Sequence, residues 1–131
     1  MTCLDTSFII DVLRGNPEIN KIEKALEVSS KPVNVTTVTI MEVSRGIHLS
    51  NFPEIEKIKV HKLLSSLNIL NFDKEAAFIA GEIETGLIRK GEKIDLEDIM
   101  TAAIVINNNE TLLTRNTKHF SRINNLKLEA Y

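Results

Sequence analysis

The sequence predicts an α/β fold with a mostly parallel central sheet of about five strands, flanked by helices on both faces. Short segments rich in β-branched residues alternate with longer amphipathic segments, and the connections between them are short. This alternation is typical of parallel sheets, because each return to the next strand needs a crossover, usually a helix. At 131 residues the chain has the length for one well-buried core, so we expect residues 1–131 to form a single domain.

Apolar periodicity and the proline and glycine residues locate the elements. Pro17 and Pro53 can each begin a helix, where the missing N–H is not needed, and Gly15 and Gly91 can each end one. Asp73 is the expected cap of a long helix. We predict strands at 2–5, 33–38, 68–72, 111–114 and 125–130, the last at an edge of the sheet, and helices at 7–15, 17–28, 40–49, 53–67, 74–90 and 94–108.

Composition argues against several classes of protein. A formal net charge of −2 does not suit a protein that coats nucleic acid mainly through its phosphates. The single cysteine, Cys3, cannot close an intramolecular disulfide and fits a buried apolar position in a reducing compartment. The start does not resemble a signal peptide, and the apolar runs are too short for a bilayer, so we expect a cytoplasmic protein with no membrane contact.

Acidic residues recur where strands end and helices begin. Asp5 follows the first strand, Glu42 lies early in the helix after the second, and Asp98 lies near the start of the last predicted helix. In parallel α/β sheets, ligands gather at the carboxyl ends of the strands. Each acid also has a plain structural explanation: Asp5 as a helix cap, and the other two in capping boxes with Thr39 and Asp95. The residues alone leave both explanations open.

A site built from these acids would need a cation. Three carboxylates ~6 Å apart repel by ~3 kcal/mol per pair at an effective dielectric constant of about 20. Hard oxygen ligands favour Mg²⁺, with Mn²⁺ as a possible substitute, and no His or Cys pair has the spacing of a zinc site. We expect the three histidines to be surface or helix residues: His48, His61 and His119.

Three sequence blocks resemble a known family. They are DTSFIIDVL, TIMEVSRG with its TxxE pattern, and GEKIDLEDIMTAAIVINNNETLLTRNTKHFSRI. Each motif is weak alone, but their order and separation over nearly the whole chain resemble PIN-domain ribonucleases, most closely the VapC toxins of toxin–antitoxin pairs. The resemblance implies a PIN-like three-layer sandwich and metal-dependent hydrolysis of RNA by an endoribonuclease.

The resemblance also implies a set of site residues. The acidic metal-binding and catalytic residues would be Asp5, Glu42 and Asp98. Ser7 and Thr114 match hydroxyl positions that support the site.

Two further positions have less definite roles. Asn116 stands where many family members carry a fourth acidic residue, and its carbonyl oxygen could serve as a weaker, water-mediated ligand. Asp95 lies one helical turn before Asp98 and could support it, or simply cap the helix.

The implied chemistry is hydrolysis of a phosphodiester bond, with carboxylates holding one or two Mg²⁺ that activate a water, and with 5′-phosphate and 3′-hydroxyl products. The candidates for contacts with substrate phosphates are Arg45, Arg115 and Lys118, although basic residues beside acids can also simply balance their charge. With few aromatic residues, RNA recognition through backbone shape and charge is favoured over base stacking.

The resemblance implies two protein partners, a second copy of the chain and a small antitoxin that blocks the site. The apolar faces of the first two helices could contribute to such an interface or belong to the ordinary core: Phe8, Ile9, Val12, Leu13, Ile19, Ile22 and Leu26.

Two rival functions remain at this stage. One is a catalytically weak PIN-fold protein that acts as an interaction module, which the asparagine at position 116 favours and the three intact acids oppose. The other is a phosphatase of the haloacid-dehalogenase type, which would need a second aspartate where this chain has Ser7.

Overall fold

The computed structural model describes all 131 residues and has one sheet of five strands, all parallel. The strands are β1 (Thr2–Leu4), β2 (Val33–Thr36), β3 (Asn68–Leu70), β4 (Thr111–Thr114) and β5 (Lys127–Ala130). Their order is β3-β2-β1-β4-β5, which makes β1 the central strand. Strand β5 lies at an edge, as the sequence predicts. The predicted α/β fold with a parallel sheet of five strands is confirmed.

Seven helices connect the strands. They are α1 (Thr6–Leu13), α2 (Pro17–Val28), α3 (Thr37–Leu49), α4 (Pro53–Leu64), α5 (Lys74–Arg89), α6 (Leu96–Asn107) and α7 (Thr117–Phe120). None of them is both long and apolar enough to cross a lipid bilayer.

The central strand divides the core between the two faces of the sheet. Leu4 belongs to a cluster with residues of α1, α2, α3 and α4, whereas the neighbouring Cys3 packs with Ala102 and Val105 of α6. Successive strand residues point to opposite faces, so this alternation places one group of helices on each side. Cys3 is fully buried, as expected of an apolar position. The result is a sheet between two helical layers.

The apolar residues of the first two helices pack on one cluster of the core. Phe8, Ile9 and Ile19 are buried in the cluster around Leu4. The other four are partly buried against the same cluster: Val12, Leu13, Ile22 and Leu26. The core explanation is therefore confirmed for the three buried side chains, and an interface role of the other four stays a prediction. The three histidines are exposed helix residues, also as predicted.

The boundary between β2 and α3 differs from the prediction. The β-branched residues at 37 and 38 favour an extension of the strand, but α3 already begins at Thr37. The Thr36 hydroxyl accepts a hydrogen bond from the Thr39 N–H at 3.1 Å and caps the helix. The expected capping box between Thr39 and Glu42 is therefore wrong, since Thr36 holds the cap position and Glu42 lies beyond the first turn.

Most other helix limits lie within a few residues of the predicted ones. Asp73 caps α5 by accepting from the Ala76 N–H at 2.9 Å, and Gly91 follows the helix with a φ of +70°. Helix α4 ends at Leu64, three residues early. The single-turn helix α7 was not predicted, because four residues are too few to show a periodic pattern.

Candidate active site

Asp5 connects β1 to α1 and is only 4% exposed. It occupies the N-cap position of α1, but its carboxylate makes no capping hydrogen bond. Instead, Asp5 Oδ2 accepts hydrogen bonds from the Ser7 hydroxyl at 3.3 Å and the Thr114 hydroxyl at 2.7 Å. The capping explanation for Asp5 is therefore wrong, and two hydroxyls from α1 and β4 hold the carboxylate by one oxygen.

The hydroxyl of Thr6, at the start of α1, holds Glu42. The Thr6 hydroxyl donates to Glu42 Oε1 at 2.7 Å and lies 2.9 Å from the Thr39 hydroxyl oxygen. A threonine has one hydroxyl proton, so Thr39 must donate to Thr6 when Thr6 donates to Glu42. Sequence analysis missed Thr6, although it stands between two residues singled out for the site.

Asp98 lies in the first turn of α6 and is half-buried. Its pKa is raised to about 7, chiefly by burial and then by the negative charges of Asp5, Asp95, Glu42 and Glu97, in that order. Neighbouring carboxylates therefore oppose its ionisation.

The pKa of Glu42 is also raised. Burial is the largest cause, opposed by the hydrogen bond from Thr6 and reinforced by the charges of Asp5 and Glu97. Asp5, Glu42 and Asp98 come from three separate elements, yet their charges act on one another. The structure thus brings the three predicted acids into one region of negative potential, which we call the acidic pocket.

Arg45 gives this pocket little positive compensation. One guanidinium nitrogen lies 3.9 Å from Glu42 Oε2, another lies 3.7 Å from Glu97 Oε1, and the side chain is 57% exposed. Long, exposed ion pairs of this kind contribute little, because solvent screens them. A net negative potential therefore remains.

The acidic pocket supplies few protein ligands at any one point. No group of three or more His, Cys, Asp or Glu side chains is gathered closely enough to hold a metal ion by protein ligands alone. Mg²⁺ commonly binds through one or two carboxylates and keeps several waters. The oxygen donors present, including the Asp5 Oδ1 that has no hydrogen-bond partner in the protein, fit such a cation.

The two residues with less definite roles flank the pocket. Asp95 is exposed at the N-cap position of α6, makes no capping hydrogen bond, and raises the pKa of Asp98 through its charge. Asn116 follows β4 and is exposed. Its backbone N–H donates to Thr114 Oγ1 at 3.0 Å, while its side chain makes no hydrogen bond. The ligand role of Asn116 stays a prediction.

The three candidate phosphate-binding residues differ in whether they already pair with an acidic side chain. Arg45 is shared between Glu42 and Glu97, and Arg115 forms an ion pair with Asp11 at 3.1 Å. Lys118 is exposed on α7 with no acidic partner within 4 Å. Lys118 is therefore the freest of the three for contact with a phosphate.

Sequence analysis also missed Asp11 and Tyr131. Asp11 is buried on α1, and the Tyr131 hydroxyl oxygen lies 3.0 Å from Asp11 Oδ2 and 3.1 Å from Ser7 Oγ. A spacing of four residues puts Ser7 and Asp11 on the same face of α1, which was a usable signal for Asp11. Tyr131 follows an edge strand and carried no such signal.

Comparison with known proteins places this chain in a family. The family model described as "PIN domain" matches residues 2–126. Ribonuclease VapC2 from Rickettsia felis is 31% identical over 128 residues, 98% of this chain and 96% of the relative. The tRNA(fMet)-specific endonuclease VapC from Salmonella typhimurium is 29% identical over the same shares of the two chains.

Solved structures agree with the sequence relatives. A chain in the crystal structure of VapBC2 from Rickettsia felis, bound to a DNA fragment from their promoter, superposes with a TM-score of 0.91 at 29% identity. That match covers 99% of this chain and 98% of the other. A chain of DNA-bound VapBC from Salmonella typhimurium also gives a TM-score of 0.91, at 28% identity over 98% and 96% of the two chains. From its sequence and its fold alike, the chain belongs to the PIN-domain family and, within it, to the VapC ribonucleases.

Proposed function

We propose that this chain is a Mg²⁺-dependent endoribonuclease, with Mn²⁺ as a possible substitute, and the toxin of a VapBC-type toxin–antitoxin pair. The observation that carries the proposal is the acidic pocket, where burial and then the charges of Asp5, Asp95 and Glu42 raise the pKa of Asp98. A fold that places unbalanced carboxylates at the carboxyl edge of its sheet has a site suited to a cation.

The roles of the residues follow from their contacts. Ser7 and Thr114 fix Asp5 by Oδ2, which leaves Oδ1 free to face a cation, and Thr6 orients Glu42 in the same way. When bound, a divalent cation neutralises charge on the phosphoryl oxygens and makes water more acidic. No side chain is needed as the nucleophile.

The approach of RNA depends on the charges at the rim of the pocket. A phosphodiester carries a negative charge and is repelled by uncompensated carboxylates, so substrate binding and cation binding support each other. Lys118 is the first candidate for a direct phosphate contact, because it has no ion-pair partner. Arg45 and Arg115 would first have to leave their carboxylates.

The proposed assembly follows the relatives. Crystal structures of VapBC complexes support an antitoxin partner for this chain. We further propose that residues 1–131 act as one domain, that the chain forms a homodimer, and that it works in the cytoplasm, where RNA is available and a lone buried thiol stays reduced.

The test is cleavage of a mixed RNA pool by the purified chain with Mg²⁺, with Mn²⁺ and with EDTA. The Asp98→Asn variant is assayed beside Glu82→Gln, a matched loss of one negative charge on the exposed face of α5. We expect cutting that needs the metal, is lost in Asp98→Asn and persists in Glu82→Gln.

Two results would contradict the proposal in different ways. Cutting that survives Asp98→Asn would show that the acidic pocket is not the active site. No cutting by the wild-type chain under any of these conditions would favour the interaction module over the enzyme.

A further inference from the structure

A second polar network lies directly behind Asp5. It runs from Asp5 Oδ2 to Ser7 Oγ (3.3 Å), from Ser7 Oγ to the Tyr131 hydroxyl (3.1 Å), and from there to Asp11 Oδ2 (3.0 Å). Arg115 closes the network, with a guanidinium nitrogen 3.1 Å from Asp11 Oδ2 and 3.4 Å from Oδ1. Ser7 therefore connects a carboxylate assigned to the reaction with one that has no assigned role.

The network has fewer hydroxyl protons than hydrogen-bond contacts between its side chains. Asp5 and Asp11 only accept hydrogen bonds when ionised, and Ser7 and Tyr131 carry one proton each. Three contacts must therefore be served by two protons. The geometry allows this if Ser7 donates to Asp5 and Tyr131 shares its proton between Ser7 Oγ and Asp11 Oδ2 as a three-centre hydrogen bond.

Arg115 affects which of its two acceptors the phenol proton of Tyr131 favours. The guanidinium donates a hydrogen bond to Asp11 Oδ1 and places its positive charge 3.1 Å from Oδ2, so it meets much of the demand of this carboxylate for donors. The phenol proton is then available to Ser7. When Ser7 accepts a hydrogen bond, its own proton is directed at Asp5, and each bond in such a chain strengthens the next.

Tyr131 is well placed to hold this arrangement. Its ring meets the buried Phe8 edge to face, with centroids 5.1 Å apart and an interplanar angle of 85°. Burial is the main cause that raises its pKa to about 12, so the hydroxyl keeps its proton at neutral pH. The phenol is therefore a fixed donor rather than a mobile surface group.

We propose that Tyr131, held by Asp11 and Arg115, is a positioning residue for the active site. By donating to Ser7 it directs the serine hydroxyl at Asp5 Oδ2, so that Ser7 and Thr114 together leave Asp5 Oδ1 free for a cation. The inference rests on the proposed function, because it assigns Tyr131 a role in the same acidic pocket. Arg115, by the same argument, serves the site through Asp11 rather than by holding a phosphate.

The test is a double-mutant cycle with Tyr131→Phe and Ser7→Ala. Tyr131→Phe removes one oxygen and keeps the ring that packs on Phe8. Mn²⁺ affinity is measured by calorimetry on the metal-free protein without RNA, and the initial rate of RNA cleavage and the melting temperature are measured in parallel. Thr85→Val, which removes an exposed hydroxyl on α5 that bonds only the Glu82 carbonyl, is the control.

We expect Tyr131→Phe to weaken Mn²⁺ binding and to slow cleavage, each by about tenfold, as is typical when a residue behind a metal ligand is lost. The double variant should be no worse than Ser7→Ala alone, because Tyr131 acts through Ser7. Thr85→Val should match the wild type. A structural role alone would instead lower the melting temperature and leave the Mn²⁺ affinity unchanged.

The opposing outcomes separate this inference from the proposed function. Wild-type Mn²⁺ affinity in Tyr131→Phe, or effects of the two substitutions that multiply, would overturn the positioning role while leaving the nuclease intact. A wild-type chain that neither binds Mn²⁺ nor cuts RNA would overturn the proposed function, and the positioning role with it.

Discussion

Asp5 and Asp11 are equally buried, each 4% exposed. Asp5 immediately precedes helix α1, and Asp11 lies within it. Asp11 forms an ion pair with Arg115 at 3.1 Å and lies in hydrogen-bond contact with Tyr131. Asp5 has no basic partner. It accepts hydrogen bonds from two neutral hydroxyls and lies near the negative charges of Glu42 and Asp98.

The difference shows that burial alone does not identify a functional acid. A buried carboxylate with a cation beside it is compensated within the fold. A buried carboxylate surrounded by other acids lacks that compensation, and clusters of this kind mark sites that take their positive charge from outside. By this criterion Asp11 supports the structure, and Asp5 is the candidate for the reaction itself.

The largest expected effect follows from Asp5→Asn. This substitution should slow metal-dependent RNA cleavage by about a thousandfold or more, equivalent to ~4 kcal/mol in the activation barrier. The reason is that an amide cannot supply the charge that holds a cation. Stability of the metal-free protein should stay level or rise, because like-charge repulsion falls. Cleavage rates and urea unfolding of the same preparation measure both effects.

Asp5 is assigned to the reaction only if cleavage falls while the stability of the metal-free protein does not. If Asp5→Asn unfolded at much lower urea concentrations, loss of activity would reflect the fold, and the contrast with Asp11 would fail. Retained cleavage would exclude Asp5 from the reaction.

Asp11→Asn should have a smaller effect, and this effect should appear first in stability. Loss of the charge-assisted contacts to Arg115 should lower the free energy of unfolding by about 2 kcal/mol. Urea unfolding measures this, with Glu82→Gln as the matched control at an exposed position. A change below about 0.5 kcal/mol, the range of an ordinary surface substitution, would show that Asp11 is not a structural ion-pair residue.

The smallest expected effect is a pH dependence of the metal-free protein. The pKa of Asp98 is about 7 in the fold, against roughly 3.9 in an unfolded chain. Between these values the folded state binds more protons, so stability is lost as the pH rises through about 7. Asp98 is half-exposed, and after solvent screening we expect a loss of about 1 kcal/mol between pH 5 and pH 8.

Urea unfolding at several pH values, with metal removed, measures this slope. Asp98→Asn should flatten it, although Glu42, whose pKa is also raised, leaves a remainder of the same sign. A slope equal to that of the wild type would show that Asp98 is not the group responsible.

Much of the fold could be predicted from the sequence, because the residues that begin and end its helices and strands are local signals. The prolines at 17 and 53 do open helices, Asp73 caps α5, and the strands follow from runs of β-branched residues. The start of α3 could not be read this way. Residues 37 and 38 have strand propensity, but the Thr36 cap and the packing of Val38 against Ala76 and Ile104 make them helical.

The site was predictable in part for a similar reason. Asp5, Glu42 and Asp98 stand after a strand or near the start of a helix, and the motif resemblance singled them out together with Ser7 and Thr114. The contacts of Asp11 with Arg115 and Tyr131 join residues more than a hundred positions apart. No local pattern encodes such pairs, so they required the folded structure.

The hydrogen bond between Asp5 and Thr114 joins residues separated by 109 positions. At a translation rate of roughly 5–20 residues per second, the ribosome makes the second partner about 5 to 20 s after the first. Until β4 is synthesised, the central strand lacks one neighbour and the carboxylate lacks its anchor. A nascent chain that ends before residue 114 therefore lacks the hydroxyl that fixes Asp5 Oδ2, and its acidic pocket is incomplete.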